Sequence, residues 1–556
     1  MDYKTASKMN RSLYNEQTIS FSEIPGQSNL FIDFQSNSDK LNQFYPTINS
    51  EIKDLTSEVL ANYKINRNEL CDILLEENRS YEVGEKTVSN IERLRQEHCV
   101  TVITGQQAGL FSGPIYTIYK ALSAIKLADE LSESGINTVP IFWIASEDHD
   151  FDEISKTTFI GKENELIEVS STPKKFIENR PVGYIEIDDL IEESKNILFE
   201  NGQSTEFTGM INKLIDQCYV RKETYSSSFG KLLASIFKDY GLIFVSPLNE
   251  RLRHLSSPVF QEAVKNAEVI TGQLLKRNDE LKANGYHSQV LVEEDYFPFF
   301  YIDKNKKRHS LRVDKQNQVI RTQDSSIQFS QEELLQTAID SPINLSPNAL
   351  MRPIVQDFLF PTVCYYGGGA EIAYFGQNSV IYEALRRPVT PIRHRSSFTI
   401  ITGKHRRTME KYSLEYKDLF NGEDEILASI VDKYINTETA NVFKDTENLF
   451  NEQLNKLKVC LEKDEITLAE NLVNRKKTIL WHISTLENKF HQAEIRKNEV
   501  IHRRIQDLFT ELLPFSSLQE RSINAIYFLN LYGENFLEWI YNSINSEEKN
   551  HQIIIF

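Results

Sequence analysis

The chain has 556 residues, 40% hydrophobic and 26% charged, which suits roughly two to four packed units and excludes a disordered or fibrous class. Lys and Arg number 62 against 80 Asp and Glu, and the net charge of −18 argues against nucleic acid as the main partner, because phosphate neutralisation dominates such binding. No apolar run approaches the ~20 residues that span a bilayer, the stretch MDYKTASKMNRSLYNEQ lacks an apolar signal core, and five scattered cysteines without a CxxC pair fit reduced thiols in a cytoplasm, with no membrane and no thiolate zinc site expected.

In chain order, residues 1–98 read as a helical N-terminal part of the core after an opening extended piece, LFIDFQ (Leu30–Gln35). Residues 99–154 read as the first half of a Rossmann-like core. They hold a β-branched strand, CVTVITG, a glycine-rich loop, a helix with Ile115, Ile118, Leu122 and Ile125 on one face, and a buried strand, VPIFWIA. Residues 155–240 turn β-like and polar, then helical, as a first insertion. Residues 241–285 return to the core with strand GLIFVS. Residues 286–342 form a β-rich second insertion with the alternating hairpin pattern FPFFYIDKNKKRHSLRV. Residues 343–403 supply the second half of the core. Across 404–513 glycine and proline almost vanish, and Leu454, Leu461 and Leu468 recur every seven residues. Leu472, Ile479, Leu486, Ala493 and Val500 continue the heptads after one step of four, which predicts a helical hairpin and coiled-coil arm. Pro514 ends it, and 514–556 read as a helical cap whose tail, HQIIIF, docks as a strand or plug. The order gives an α/β fold: a parallel-sheet core with two β-rich/helical insertions and an α-helical arm.

Four places carry candidate chemistry. After the first strand, Gly105, Gly109 and Gly113 recur every four residues, and Pro114 suits a first helical turn. Glycines admit a ligand to the backbone, and a helix start favours an anion. The spacing is neither G-x-G-x-x-G nor a P-loop; Gln106 and Gln107 offer neutral amides in place of a lysine. A tight turn with glycines for packing is the plain alternative. After the second strand come Glu147, Asp148, His149, Asp150, Asp152 and Glu153, at the strand end where ligands bind in open α/β sheets. Crowded carboxylates favour an amine or Mg²⁺ nearby, and His149 is a candidate general base; the alternative is an acidic loop with a helix-capping Asp. Third, Arg352 precedes Pro353 at a helix start, a phosphate or carboxylate clamp or a surface arginine. Gly367, Gly368 and Gly369 follow an apolar strand, with Glu371 and Tyr374 beyond them, as a nucleotide floor or a plain turn. Fourth, Arg393, His394 and Arg395 could neutralise phosphate charge or pair with acidic helices.

TGQQAGLFSGPIYTIYKALSAIKLA, followed by FWIASEDHDFDEI, resembles the cysteine-adding ligases of bacillithiol biosynthesis. LFIDFQSNSDKLNQFYP, SPNALMRPIVQD, GGGAEIAYFGQ and SLQERSINAIYFLNLYGENFL extend the likeness over nearly the whole chain. The resemblance implies a class I synthetase-like Rossmann core, a homodimer through the coiled coil, and cytoplasmic coupling of L-cysteine to glucosaminyl-malate. It places the Gly105–Gly113 loop where such synthetases carry HIGH, and likens GGGAEIAYF to the Gly-Gly-x-Asp turn of cysteinyl-tRNA synthetases, with Glu371 for Asp. HIGH and KMSKS are absent as such, and the zinc-thiolate cysteine sensor has no counterpart.

On this reading ATP, with magnesium beside it, activates the cysteine carboxylate. Gly105, Gln106, Gln107, Gly109, Gly113, Gly367, Gly368, Gly369 and Glu371 hold the nucleotide. His149, Asp150, Arg352 and Arg395 serve the reaction, and Glu147, Asp148, Tyr374 and Arg393 hold substrate. The expectation that carries all of this is one shared cavity at the ends of the first two strands, lined by the glutamine amides and the imidazole. The rivals are a tRNA-dependent aminoacyl ligase and a non-catalytic coiled-coil scaffold on a degenerate nucleotide-binding fold.

Overall fold

A strand with apolar side chains on both faces leaves no side for water, so it pairs inside a sheet covered by helices. The computed structural model, which describes residues 15–555, builds its centre from five such strands. They are β1 (Val100–Gln106), β2 (Thr138–Ile144), β3 (Ile243–Val245), β4 (Thr362–Gly367) and β5 (Ile392–His394). All pairings are parallel and the order is β3-β2-β1-β4-β5. The chain leaves β1 in one direction and later returns to its other side, so a crevice opens beyond the carboxyl ends of β1 and β4, at the switch point. Helix α1 (Tyr116–Glu133) crosses from β1 to β2, and helix α2 (Gly369–Ala384) from β4 to β5.

The long connections carry the decoration. Between β2 and β3 lie the hairpin Lys156–Ile160 and Leu166–Ser170 and a set of helices. Between β3 and β4 lies a five-stranded antiparallel sheet, with Tyr296–Ile302 flanked by Arg308–Asp314 and Leu345–Pro347. The tail docks as a strand: His551–Ile555 runs antiparallel to Asn15–Ile19 and parallel to Phe398–Ile401.

Leu30–Gln35 departs from the expected extended piece. It lies in a helix, Asn29–Gln35, capped by Ser28, whose side chain accepts from the Phe31 amide at 3.3 Å. The short run LFIDFQ suits either period, and burial of Leu30, Phe31 and Phe34 on one helical face decides it.

The arm is a helical hairpin, Thr437–Asp464 and Ile466–Lys497, hinged at Glu465. Lys476 donates to Asn455 at 2.8 Å, and the Phe443 and Phe490 rings lie 5.8 Å apart, so the helices run antiparallel. The four-residue step in the heptads, Leu468 to Leu472, falls just after this reversal. Among the described residues, no helix is long and apolar enough to cross a membrane.

Candidate active site at the switch point

A cavity of about 560 Å³ occupies the crevice. Gln106 and Gln107 reach it from the end of β1, Ala145 from the end of β2, and Gly368 and Gly369 from the turn after β4. The ends of the first two strands therefore meet at one cavity, lined also by Gly105, Glu371, Arg352 and Arg395. His149, Asp150, Glu147, Asp148, Tyr374, Arg393, Gly109, Gly113 and Gly367 are not among its lining residues.

The electrostatic centre is a lysine. Lys120, on α1 and 3% exposed, donates to the Gly105 carbonyl and to Gln106 Oε1, both at 2.9 Å, and ion-pairs with Glu371. Burial pushes the Lys120 ammonium below its ordinary pKa, against the pull of Glu371. Burial alone would raise the Glu371 carboxyl, but Lys120, the Gly368 amide at 2.7 Å and the Tyr365 hydroxyl at 2.8 Å hold it below its usual value. Glu371 thus caps α2 and neutralises Lys120, which leaves it little capacity for a ligand ammonium. Lys120 is the lone charge between His98 and Lys126 in the sequence, a signal that could have found it.

The acidic stretch after β2 is dispersed. Glu147, 2% exposed, pairs with buried Arg253 and accepts from Ser346 at 3.0 Å. Asp148 accepts from Gln107 at 2.6 Å and lies 3.5 Å from Arg308. Burial would raise its carboxyl; Arg308 and Gln107 hold it below the usual range. His149 turns its Nδ1 to Arg308 at 2.9 Å. A guanidinium only donates, so Nδ1 accepts and the ring proton sits on Nε2. Burial and then Arg308 lower the His149 pKa, so near pH 7 the imidazole is neutral and its outer nitrogen is a donor. Asp150 accepts from the Glu153 amide at 3.2 Å and caps the short helix Phe151–Ile154. Glu153 is the member of the stretch that lines the cavity. The surrounding protein, then Asp148 and Asp150, push its carboxyl up to about 7.

The glycines divide in the same way. A side chain on Gly109 would meet Gly113 Cα at 2.8 Å, and one on Gly367 would meet Glu371 Cβ and Ile392 Cδ1 at 2.9 Å, so these serve packing. Phe111, Ser112 and Gly113 have φ of 49°, 83° and 65°, a left-handed run costly for the two residues with side chains. The Tyr219 hydroxyl, accepting from the Phe111 amide at 2.9 Å, and Asn524, donating to the Phe111 carbonyl at 2.7 Å, hold that turn.

On the far wall Arg395 makes a bidentate pair with Glu520, at 2.9 and 2.7 Å, and both are buried. Arg393 instead pairs with Glu547 at 3.1 Å, and Tyr374 accepts from Arg352 at 2.9 Å. Among the described residues, the group Asp432, Glu487 and His491 has the spacing to hold a metal, and none of the three lines the cavity.

Two family descriptions match the chain. "Bacillithiol biosynthesis BshC, N-terminal Rossmann-like domain" covers residues 15–396, and "Bacillithiol biosynthesis BshC, C-terminal coiled-coil domain" covers residues 398–556. Curated relatives named "Putative cysteine ligase BshC" are similar along nearly their whole length. That of Solibacter usitatus is 31% identical over 544 residues, 96% of this chain and 98% of the relative. Those of Koribacter versatilis and Salinibacter ruber are 30% and 28% identical, each over 94% of this chain and 96% of the relative.

Proposed function

The chain belongs to the bacillithiol biosynthesis BshC family, and we propose that it is a ligase that joins L-cysteine to the free amine of glucosaminyl-malate, using ATP to activate the cysteine carboxylate. The observation that carries this reading is the switch-point cavity, where glutamine amides, a helix start and an arginine with no carboxylate partner among the described residues face one space.

A carboxylate and an amine do not condense until one carboxylate oxygen becomes a leaving group. ATP supplies that group, as an acyl adenylate or an acyl phosphate. The cavity volume lies within the range of nucleotide and cofactor sites. Gly369 and Ala370 line the cavity at the first turn of α2, where N–H groups have no intrahelical acceptor, and they would hold phosphate charge. Gln106 and Gln107 would orient the two substrates, while Arg395, already neutralised by Glu520, shapes the wall. Magnesium keeps several waters and binds mainly through phosphate oxygens; with Glu371 and Glu520 already paired, the phosphates and water would supply most of its ligands here.

When the amine attacks the activated carbonyl carbon, a C–N bond forms, the phosphate-bearing oxygen leaves and the nitrogen sheds a proton. Glu153, with its carboxyl near pH 7, suits that proton better than His149, whose outer nitrogen already carries one. Asp150, engaged at a helix cap, is less suited. The arm's exposed apolar side chains, Leu457, Trp481 and Leu486, support a homodimer through the coiled coil, and the reaction belongs in the cytoplasm with its small-molecule substrates.

The test is the purified chain with ATP, L-cysteine and glucosaminyl-malate. Mass spectrometry should find bacillithiol, and phosphorus NMR should identify the phosphate product. A chain that stays folded yet yields no thiol, alone or on return to a deletion strain, refutes the reading.

A further inference from the structure

The ligase reading leaves the carboxylates of the acceptor substrate without a partner. Arg393 is tied to Glu547 and is not among the lining residues. Of the cations that line the cavity, Lys120 is neutralised by Glu371 and Arg395 by Glu520. Arg521 is exposed at the rim. Arg352 is different: among the described residues it has no carboxylate within ion-pair distance, and its guanidinium donates only to the Tyr374 hydroxyl at 2.9 Å.

One turn further along the helix Arg352–Leu359 stands Gln356, 1% exposed, lining the same cavity, with its Nε2 buried and without an acceptor. Residues four apart share one helix face, so the guanidinium and the amide donor stand side by side. A buried N–H without a partner destabilises the fold unless something fills its place. Trp143 Nε1 and Arg395 Nε, on two other lining residues, are also buried without acceptors, but Gln356 Nε2 is the one on the same helix face as Arg352; a cation beside an orphan donor fits an oxygen anion.

We infer that Arg352 and Gln356 form a clamp for a carboxylate that keeps its charge throughout the reaction, one of those on the malate part of the acceptor, none of which reacts. The electrophilic carboxylate loses its charge on activation, so a fixed guanidinium would hold its ground state better than its transition state. Gln107, another lining residue, adds a second demand: its Oε1 is buried and lacks a donor. The clamped molecule therefore also presents a hydroxyl or ammonium. The clamp itself stands on geometry; its assignment to the acceptor rests on the ligase reading.

The experiment uses the full chain and calorimetric titration with L-malate, and separately with L-cysteine. Charge-assisted hydrogen bonds predict that Arg352→Gln weakens malate binding about 100-fold and Gln356→Leu about 10-fold, with L-cysteine affinity unchanged in both. The KM for glucosaminyl-malate should rise in parallel while kcat holds. Should Arg352→Gln melt early, the near-isosteric Gln356→Leu alone decides. Thiol formation by the wild type with malate affinity and KM unmoved in Gln356→Leu overturns the clamp and spares the ligase. Malate affinity lost in the variants, in a protein that never forms thiol, supports the clamp and sinks the ligase. No malate binding to the wild type, or loss of cysteine affinity instead, overturns the assignment.

Discussion

The switch-point cavity and the arm answer the same problem, how to use apolar and charged side chains, in opposite ways. Every residue of β2 is buried, whereas the arm helix Thr437–Asp464 buries none. In the core, at the cavity and behind it, ion pairs join residues far apart in sequence: Lys120 with Glu371 and Arg395 with Glu520 at the cavity, Glu147 with Arg253 outside its lining. Within the first arm helix Lys456 with Glu452 and Lys458 with Glu462 are one turn apart and exposed. The core thus fixes charges where water cannot compete. The arm leaves Trp481 62% and Leu486 60% exposed, more apolar surface than its hairpin partner covers. One region is finished within the chain, and the other has a face available to a second molecule.

The sharpest way to break that contrast is to remove one partner from each kind of pair. Lys120→Met should cost ~3–5 kcal/mol in urea unfolding, because the largely but not fully buried Glu371 is left charged without its partner, and should abolish activity. Adding Glu371→Gln should restore much of the stability. Lys458→Met, in an exposed pair, should cost no more than ~1 kcal/mol. Equal costs would mean that the two regions do not differ as described.

The next effect is on rate. Glu153→Gln should lower kcat about 100-fold, the scale of a lost general base. Its folded pKa is raised to about 7, so in the native enzyme activity should fall as pH drops through about 7 and the carboxyl gains its proton. The variant should lose that limb, and arm substitutions should leave it in place. A third effect is steric. An alanine at Gly105 would put Cβ 2.8 Å from the Trp143 carbonyl oxygen, a backbone clash worth ~1–3 kcal/mol by thermal unfolding. The smallest effect on stability belongs to Trp481→Ser, within ~0.5 kcal/mol for the monomer. Sedimentation should nevertheless show a weaker dimer. An unchanged association constant would remove Trp481 from the proposed interface.

What was legible in the sequence was local. The parallel strands, the glycine turns and the heptads repeat over a few residues, and their periods survive folding. Gln106, Gln107, Gly368, Gly369, Arg352 and Arg395 could be placed because strand ends and helix starts locate a cavity in any open α/β sheet. Arg253, Arg308 and Glu520 escaped because each is defined by a partner at least 106 positions away; Lys120 is marked locally by its isolation in an apolar stretch, but its pairing with Glu371 spans 251 positions. The stretch Glu147–Glu153 misled in another way. It runs from a strand end through a turn into the short helix Phe151–Ile154, so no single period holds and adjacent acids diverge: one to Arg253, one to Gln107 and Arg308, one to a helix cap and one to the cavity. The skipped heptad phase at Leu472 marks the reversal at Glu465, which spacing alone did not locate.

The pairing of Arg395 with Glu520 has a consequence for how the molecule comes into being. The two residues are 125 positions apart, so at ribosomal speeds of ~5–20 residues per second the cation is made about 6–25 s before its partner. During that interval the nascent chain carries a guanidinium destined for burial with nothing to neutralise it, beside a sheet whose last strand, His551–Ile555, has not been synthesised. Translation itself therefore keeps the pocket unsealed until Glu520 and the strand that follows it have been made.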